Sequence, residues 1–304
     1  MTTLDLNQGV LVLQLDMSLD AGLTIDCTQI GINSASGDPG NVYPLSSPAA
    51  TPVADEVSCA LGADLVITIA TDPNFSSDVA GNTFVYINSG TGIMVGGTEL
   101  PSDMVGRMVD NVIGDITRPE LISFDLDLSQ NELTLAFSEP VDASTFDPSA
   151  AVIQSTSSSP TESLTLTTQS MAQGSNAATM VVELNEDANL LKAMSLLATS
   201  THNTYLSFSQ MLIQDLFGNP IVQIDQSSAI AVSSYTPDSV SPEVVSFDLD
   251  LDTGVLTLCS VKQFKLIPLC HLGPSYNLPQ MVLVDHRNIN SVNRAQHKVE
   301  MQQH

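Results

Sequence analysis

The stretch FDLDLSQNELTLAF (124–137) alternates apolar and polar residues on both sides of a short polar segment, Ser-Gln-Asn. Alternation with a period of two is typical of a β-strand with one buried face, because successive side chains point to opposite faces of a sheet. Two such strands joined by turn-type residues predict a β-hairpin. Nearly the same pattern occurs at 4–15 (LDLNQGVLVLQL) and at 249–260 (LDLDTGVLTLCS).

The residues around these hairpins repeat as well. DITRPELISF (115–124) matches DSVSPEVVSF (238–247), and LDAGLTIDCTQIGINS (19–34) matches VDASTFDPSAAVIQS (141–155) with one inserted residue. Phe124 and Phe247 are 123 residues apart. A repeat of this length with several short strands has the size of a β-sandwich domain.

The repeat divides the chain into four parts. These are unit one (1–117, clipped at its N-terminus), unit two (118–241, complete), unit three (242–258, a first hairpin) and a non-repeat tail (259–304). In unit two, Leu190, Leu191, Met194, Leu197 and Ala198 have helical spacing and predict a short crossover helix over 189–200. The sequence therefore predicts an all-β fold of tandem sandwich units, with one short helix in unit two.

A resemblance supports this interpretation. FSEPVDASTFDPSAAVIQS (137–155) and DLFGNPI (215–221) resemble the bacterial-type Ig-like repeats of S-layer and large cell-surface proteins. Those repeats carry a similar F-S-E-P-V-D phrase after the second strand and a D-x-x-G-N-P turn near the end. Unit one departs from them, with QLDMSLD (14–20) and VGGTEL (95–100) at the two places. The resemblance implies tandem Ig-like β-sandwiches in an extracellular or cell-surface setting.

The tail (259–304) has a different composition. It holds five of the eight Lys and Arg residues, four of the five His residues and only two of the 34 acidic residues. Because the change falls within a predicted strand, it is not typical of a domain boundary. We expect a gene-model artefact, such as a retained intron or a frameshift. Met1 corresponds to Ser123, so we also expect a longer parent protein with its signal peptide upstream.

Charge and motifs exclude several classes of function. The net charge of −26 disfavours nucleic acid and anionic membranes and favours divalent cations or basic partners. The longest apolar runs, such as LVITIA (65–70), have the length of a strand, so no membrane insertion is expected. No G-x-S-x-G, HExxH or P-loop motif is present, and SGTGIMVGG (89–97) has no lysine after it. We therefore expect no enzyme activity and no cofactor other than calcium.

Two groups of carboxylates are candidate calcium ligands, because clustered hard oxygen atoms suit this ion. Asp125 and Asp127 share one strand face, as do Asp248, Asp250 and Asp252; a solvated face is the alternative. The second group consists of Glu139 and Asp142 after the second strand, with Asp215 and Asn219 in the DLFGN turn. Its alternative is ordinary turn chemistry from Pro140 and Gly218. The acidic linkers 115–120 and 238–243 resemble hinges that calcium would stiffen; the alternative is that their proline alone restricts the joint.

Cysteines and one sequon complete the candidate sites. A Cys27–Cys59 disulfide would close a loop of about 33 residues and stabilise the fold by about 3–4 kcal/mol, and two buried free thiols are the alternative. Cys259, Cys270 and His271 lack zinc spacing. Asn74-Phe-Ser76 is a glycosylation sequon if the chain is secreted.

These observations predict a structural or adhesive segment that acts as a stiff acidic spacer, with calcium at its linkers as the sharper version. The partners expected for it are other surface or matrix proteins or glycans. One alternative is an acidic matrix protein that binds mineral through its Asp-bearing strands. Another is a non-catalytic accessory module of a surface enzyme, which the low aromatic content (5%) and the absence of Trp disfavour.

Overall fold

The computed structural model describes residues 1–46, 49–76, 78–241, 243–252, 255–260 and 280–285. For Val245, 255–260 and 280–285 only the backbone is described. Within these residues the fold consists mostly of β-strands with few helices, in agreement with the predicted all-β class. No helix among them has both the length and the apolar character needed to cross a membrane.

Unit one forms two four-stranded sheets and a small hairpin. The sheet orders are β10-β1-β2-β5 and β4-β3-β6-β9, and β7 pairs with β8. The strands are β1 (Thr2–Asp5), β2 (Val10–Gln14), β3 (Ile30–Asn33), β4 (Tyr43–Pro44), β5 (Glu56–Ala60), β6 (Phe84–Ile87), β7 (Met94–Val95), β8 (Thr98–Glu99), β9 (Asp103–Met108) and β10 (Asn111–Ile113). The helices are α1 (Ala63–Thr71) and α2 (Pro73–Ser76), with 3-10 turns at Cys27–Gln29 and Pro39–Asn41.

Unit two also forms two sheets. Their orders are β15-β16-β12-β11-β20, with β18 paired to β12, and β14-β13-β17-β19. The strands are β11 (Leu121–Asp127), β12 (Glu132–Asp142), β13 (Ala151–Gln154), β14 (Ser163–Thr165), β15 (Met171–Gln173), β16 (Ala177–Glu183), β17 (Tyr205–Phe208), β18 (Gln214–Asp215), β19 (Ile230–Ala231) and β20 (Ser234–Thr236). The helix is α3 (Glu186–Ala193), with 3-10 turns at Ala143–Thr145, Pro148–Ala150 and Thr201–Asn203.

The strand pairings of the two units correspond. In the first hairpin of each unit the strands are antiparallel, with Leu4 opposite Leu11 and Leu126 opposite Leu133. A later strand, β10 or β20, then pairs in parallel with the first strand. In the second sheets, β3 pairs with β6 as β13 pairs with β17. Apart from β15 and the placing of the short strands β7, β8 and β18, the strand order is the same in both units.

Each unit has its own hydrophobic core, which the alternating leucines of the first hairpin help to build. Leu4, Leu11, Leu126 and Leu133 are at most 1% exposed. Fully burying such a side chain contributes about 1.5–3 kcal/mol. Each core cluster also includes residues of the second sheet, so the two sheets of a unit pack around a shared interior. The alternation in the sequence thus determines which face of each hairpin is covered.

The helices differ from the sequence-based expectations in two places. The predicted crossover helix is present, but α3 ends at Ala193, and Leu197 and Ala198 are buried beyond it. The side chain of Asp187 accepts hydrogen bonds from Thr167 and Ser170, and this anchors the start of α3. The strand-length run 65–70 lies in α1 instead of a strand, with Leu65 and Ile69 on its buried face.

Unit three begins with the predicted hairpin. β21 (Val244–Asp250) pairs with β22 (Val255–Ser260), with Leu249 opposite Leu256. β22 also pairs in parallel with β23 (Gln280–Asp285), whereas β12 of unit two pairs antiparallel with β16. Phe247 is 71% exposed, while its counterpart Phe124 is 1% exposed. The remainder of the predicted tail lies outside the described residues.

Candidate metal centre at the first linker

The linker between β10 and β11 contacts both units. On the side of unit one, the backbone N–H of Ile116 and the hydroxyl of Thr117 donate to Asn7 Oδ1, at 3.0 and 2.9 Å. On the side of unit two, Arg118 Nε donates to the carbonyl oxygen of Pro220 at 2.7 Å. Asn219 Nδ2 donates to the carbonyl oxygen of Asp115 at 3.2 Å. The linker is therefore hydrogen-bonded to both units.

Three carboxylates meet at this linker. Asp115 belongs to the linker, Glu139 to β12 and Asp215 to β18, and one carboxylate oxygen of each lies within 4.8 Å of the others. β12 and β18 pair with Val141 opposite Asp215, which brings the end of β18 next to Glu139. In the part of the chain that the structure describes, this is the one group of three or more potential metal-binding side chains that are so close together.

Asp215 is held in place by its own turn. Its side chain is 2% exposed, and Oδ1 accepts hydrogen bonds from the backbone N–H groups of Phe217 and Asn219, both at 2.8 Å. Oδ2 accepts from Asn219 Nδ2 at 2.7 Å. Gly218 has φ +90°, a conformation that glycine adopts at little steric cost. The DLFGN sequence therefore orders Asp215 through Asn219, whose amide group acts as a donor.

Glu139 is the least satisfied group of the cluster. Its Oε1 atom is buried and has no hydrogen-bond partner, and no other buried side-chain oxygen or nitrogen of the described residues shares this property. Burial, the negative charges of Asp115 and Asp215 and a hydrogen bond with Asp115 together raise the pKa of Glu139 to about 7. Burial likewise raises the pKa of Asp115. A buried anionic group of this kind is stabilised by a proton or by a cation.

One further carboxylate and the linker aspartate extend the predicted group. Asp5, at the end of β1, is 7% exposed, and its negative charge contributes to the raised pKa of Asp115. The sequence placed Asp115 in a hinge and Asp5 in a strand, separate from Glu139 and Asp215. Asp115 lies directly after β10 and Asp5 lies at the end of β1, and the parallel pairing of β1 with β10 brings these two ends together. The positions of the two residues relative to these strands were the available signal that they belong to one site.

The other predicted calcium ligands lie elsewhere. Asp142 Oδ1 accepts from the backbone N–H of Ser144 and caps a 3-10 turn, and Asp127 Oδ1 accepts from Ser129 and Gln130 in the hairpin turn. Asp125 is exposed on β11. Asp248, Asp250 and Asp252 are also exposed, and Asp250 Oδ1 accepts from the backbone N–H of Asp252. The structure therefore brings Glu139 and Asp215 together and leaves Asp125, Asp127 and Asp142 apart from them.

The cysteines and the sequon have clear positions. Cys27 and Cys59 form a disulfide with a Cα–Cα distance of 5.8 Å, which joins the 3-10 turn before β3 to β5 of the other sheet. Asn74 is exposed in α2, and its side-chain amide donates to Asp72 at 2.9 Å. Cys270 and His271 lie outside the described residues, and only the backbone of Cys259 is described.

The glycine-rich stretch 89–97 contains β7 and the turn that joins it to β8. The backbone N–H groups of Gly96 and Gly97 donate to the carboxylate of Asp20, at 3.0 and 2.8 Å. These two N–H groups are therefore satisfied by an anion of the chain itself.

No protein-family model, curated protein or solved structure matches this chain.

Proposed function

We propose that this chain is a segment of tandem Ig-like β-sandwich units that acts as a stiff, acidic structural or adhesive spacer outside the cell. In this proposal, a calcium ion held by Asp115, Glu139 and Asp215 stiffens the joint between units one and two. Two lines of support are the period of 123 residues in the sequence and the corresponding strand order of the two units. Tandem units joined by short linkers give length without requiring a catalytic cleft.

The carboxylate cluster carries the calcium part of the proposal. Its ligands come from the linker and from two strands of unit two, and the same linker is hydrogen-bonded to Asn7 of unit one. An ion bound there would hold the linker against unit two and restrict the angle between the units. Calcium accepts six to eight oxygen ligands in flexible geometry, so backbone oxygens and water can complete its coordination.

The charge balance at the site also favours a divalent cation. Three carboxylates within 4.8 Å repel one another when they are ionised, and the buried Oε1 atom of Glu139 has no donor to compensate it. The whole chain carries a net charge of −26, which raises the local concentration of cations. A divalent ion would neutralise most of the charge of the cluster.

The experiment is a calorimetric titration of calcium into the wild-type chain, Glu139→Gln and Asp125→Asn. Glu139→Gln removes one charge from the cluster and keeps the side-chain size. Asp125→Asn removes one charge from the exposed face of β11 and is the matched control. We expect wild type and Asp125→Asn to bind calcium with similar affinity and Glu139→Gln to lose at least about ten-fold. Equal binding by all three proteins would refute the calcium site.

A second candidate function rests on the exposed strand faces. Asp125 on β11 and Asp248 and Asp250 on β21 are exposed at alternate positions of their strands. Regularly spaced carboxylates suit a mineral surface, so an acidic matrix role is the alternative proposal. Adsorption to calcium mineral should fall when these three residues are changed to Asn and stay unchanged in Glu139→Gln. The opposite result would favour the linker site as the functional one.

A further inference from the structure

An amine, a carboxamide and a carboxylate meet at one point of unit two. Lys192 Nζ donates a hydrogen bond to Asn131 Oδ1 at 2.5 Å and lies 3.4 Å from Asp238 Oδ2. The side chains of Lys192 and Asp238 are only 15% and 20% exposed. Lys192 is also the only lysine before residue 259. This amine therefore contacts one group of each kind in a place from which most water is excluded.

The three groups come from three separate elements that the backbone holds together. Asn131 lies in the turn between β11 and β12, the lysine lies in α3, and Asp238 follows β20. The backbone N–H of Leu184 donates to the carbonyl oxygen of Asn131 at 2.9 Å, which ties the segment before α3 to the turn. The backbone N–H of Leu128 donates to the last residue of β20 at 2.9 Å. The contact among the three side chains is therefore fixed by the fold.

Unit one has a glycine where unit two has the carboxamide. The backbone N–H of Leu61 donates to the carbonyl oxygen of Gly9 as that of Leu184 donates to Asn131, and both acceptor residues have φ +64°. Glycine adopts this conformation at little steric cost, and asparagine is one of the few other residues that tolerate it. The asparagine therefore adds a functional group beside α3 without changing the backbone of the turn.

We propose that Lys192 and Asn131 form an isopeptide bond within unit two, with Asp238 transferring the protons. A carbonyl bond is about 1.23 Å long, so Lys192 Nζ lies within about 3.7 Å of Asn131 Cγ. Groups held at nearly the distance of reaction gain a large advantage over groups that must first meet. The bond would join the first hairpin of unit two to α3.

The reaction requires no oxidant and no further reactant. Asp238 accepts a proton from the ammonium group of Lys192, and the neutral amine attacks Cγ of Asn131. The bond between Nζ and Cγ forms, and the bond between Cγ and Nδ2 breaks. Of the three protons on Nζ, one stays on the new amide and two pass through Asp238 to Nδ2, which leaves as ammonium. The first proton transfer leaves two neutral groups, which the low exposure of the pair favours.

The cross-link would change how Lys192 stabilises unit two. Before the reaction, Lys192 acts through its ion pair with Asp238, and after the reaction it acts through a covalent bond that persists in denaturant. Such a bond restricts the unfolded chain, as the disulfide does in unit one. None of the three reacting residues belongs to the carboxylate cluster, so the reaction is independent of the calcium proposal.

The test is mass spectrometry of the full chain after incubation at neutral pH, followed by reduction and denaturation. We expect a mass that is lower than that of the sequence by one ammonia molecule. A protease that cleaves after glutamate should then release peptide 121–132 joined to peptide 187–243 through Asn131 and Lys192. An asparagine that cyclises on its own also loses ammonia but leaves these peptides separate, and that outcome would refute the proposal.

Variants of the full chain assign the roles. Asn131→Gly carries the residue that unit one has at this place, and Lys192→Met keeps the apolar stem of the lysine. Neither variant should give the joined peptides. Asp238→Asn should form the bond at least about ten-fold more slowly than wild type. Asn189→Ala removes a carboxamide of α3 that donates to Glu186, so it is the matched control and should react like wild type.

Circular dichroism checks that each variant folds. The proposal is wrong if folded wild type keeps the full mass of its sequence, or if the joined peptides persist in Asn131→Gly or Lys192→Met. Equal rates of bond formation in wild type and Asp238→Asn would contradict the role given to Asp238.

Discussion

Units one and two have corresponding strand orders but differ in the contacts that secure them. Unit one has the Cys27–Cys59 disulfide, and the corresponding positions of unit two are Pro148 and Val182. Unit two has the carboxylate cluster at its linker. The alternating leucines and the strand order are common to both units, whereas the disulfide and the carboxylate cluster each occur in one of them.

The largest effect should follow from breaking the disulfide. Reduction removes a constraint on the unfolded chain of unit one, so the free energy of unfolding of that unit should fall by about 3–4 kcal/mol. Differential scanning calorimetry with and without a reductant measures this, and the double variant Cys27→Val, Cys59→Val should reproduce the effect. Unit two has no cysteine, so its transition should not move. A shift of both transitions would show that the units do not unfold independently.

A smaller effect should come from proton binding at Glu139 in the absence of calcium. Its pKa is raised from 4.5 to about 7, so the folded protein keeps a proton that the unfolded chain releases. Stability from this group is therefore fully present below pH 4.5 and is lost as the pH rises through about 7. The full shift corresponds to about 3 kcal/mol, and solvent contact of the side chain reduces this value.

Thermal unfolding in EDTA between about pH 5 and about pH 8 tests this dependence. Wild type should lose stability across the range. Glu139→Gln should lose less, because the side chain of Gln does not titrate and has no proton to release. Calcium should oppose the loss in wild type, because it stabilises the ionised carboxylates. Identical slopes for the two proteins would contradict the assignment of the raised pKa to Glu139.

The smallest effect on stability should come from the second linker (238–243). There the unreacted Lys192 supplies the positive charge that a bound cation would supply at the first linker. Lys192 Nζ lies 3.4 Å from Asp238 Oδ2 and donates to Asn131 Oδ1, and both charged side chains are mostly buried. Lys192→Met keeps the apolar stem and removes the charge, so unit two should lose about 1–2 kcal/mol of stability. Urea unfolding measures the loss. Calcium affinity should be unchanged, and a changed affinity would show that the two linkers are coupled.

The hairpins were predictable because their buried faces alternate strictly, as in 124–137. The run 65–70 was not, since a short apolar run does not distinguish a buried strand from a helix. In helix α1, Leu65 and Ile69 lie four residues apart on the buried face. A strand that is covered on both sides would also bury residues at this spacing.

The candidate site was only partly predictable from the sequence. Glu139 and Asp215 could be grouped from the motifs of unit two, but Asp142, which the sequence groups with them, lies outside the cluster of three carboxylates. The pairing of β12 shifts between Ala136 and Val141, and such a local irregularity decides which side chains face the linker. Asp142 instead caps the 3-10 turn that follows. A sequence does not reveal a shift of this kind in advance.

The most direct test of the central claim measures the joint between units one and two. Spin labels would be placed at exposed Thr51 and Thr168 in a background with Cys259 and Cys270 changed to Ser, and the distance distribution recorded by pulsed electron resonance with calcium and with EDTA. We predict that calcium narrows the distribution in wild type and leaves Glu139→Gln unchanged. Equal widths in wild type with and without calcium, or equal narrowing in Glu139→Gln, would contradict a calcium-stiffened linker.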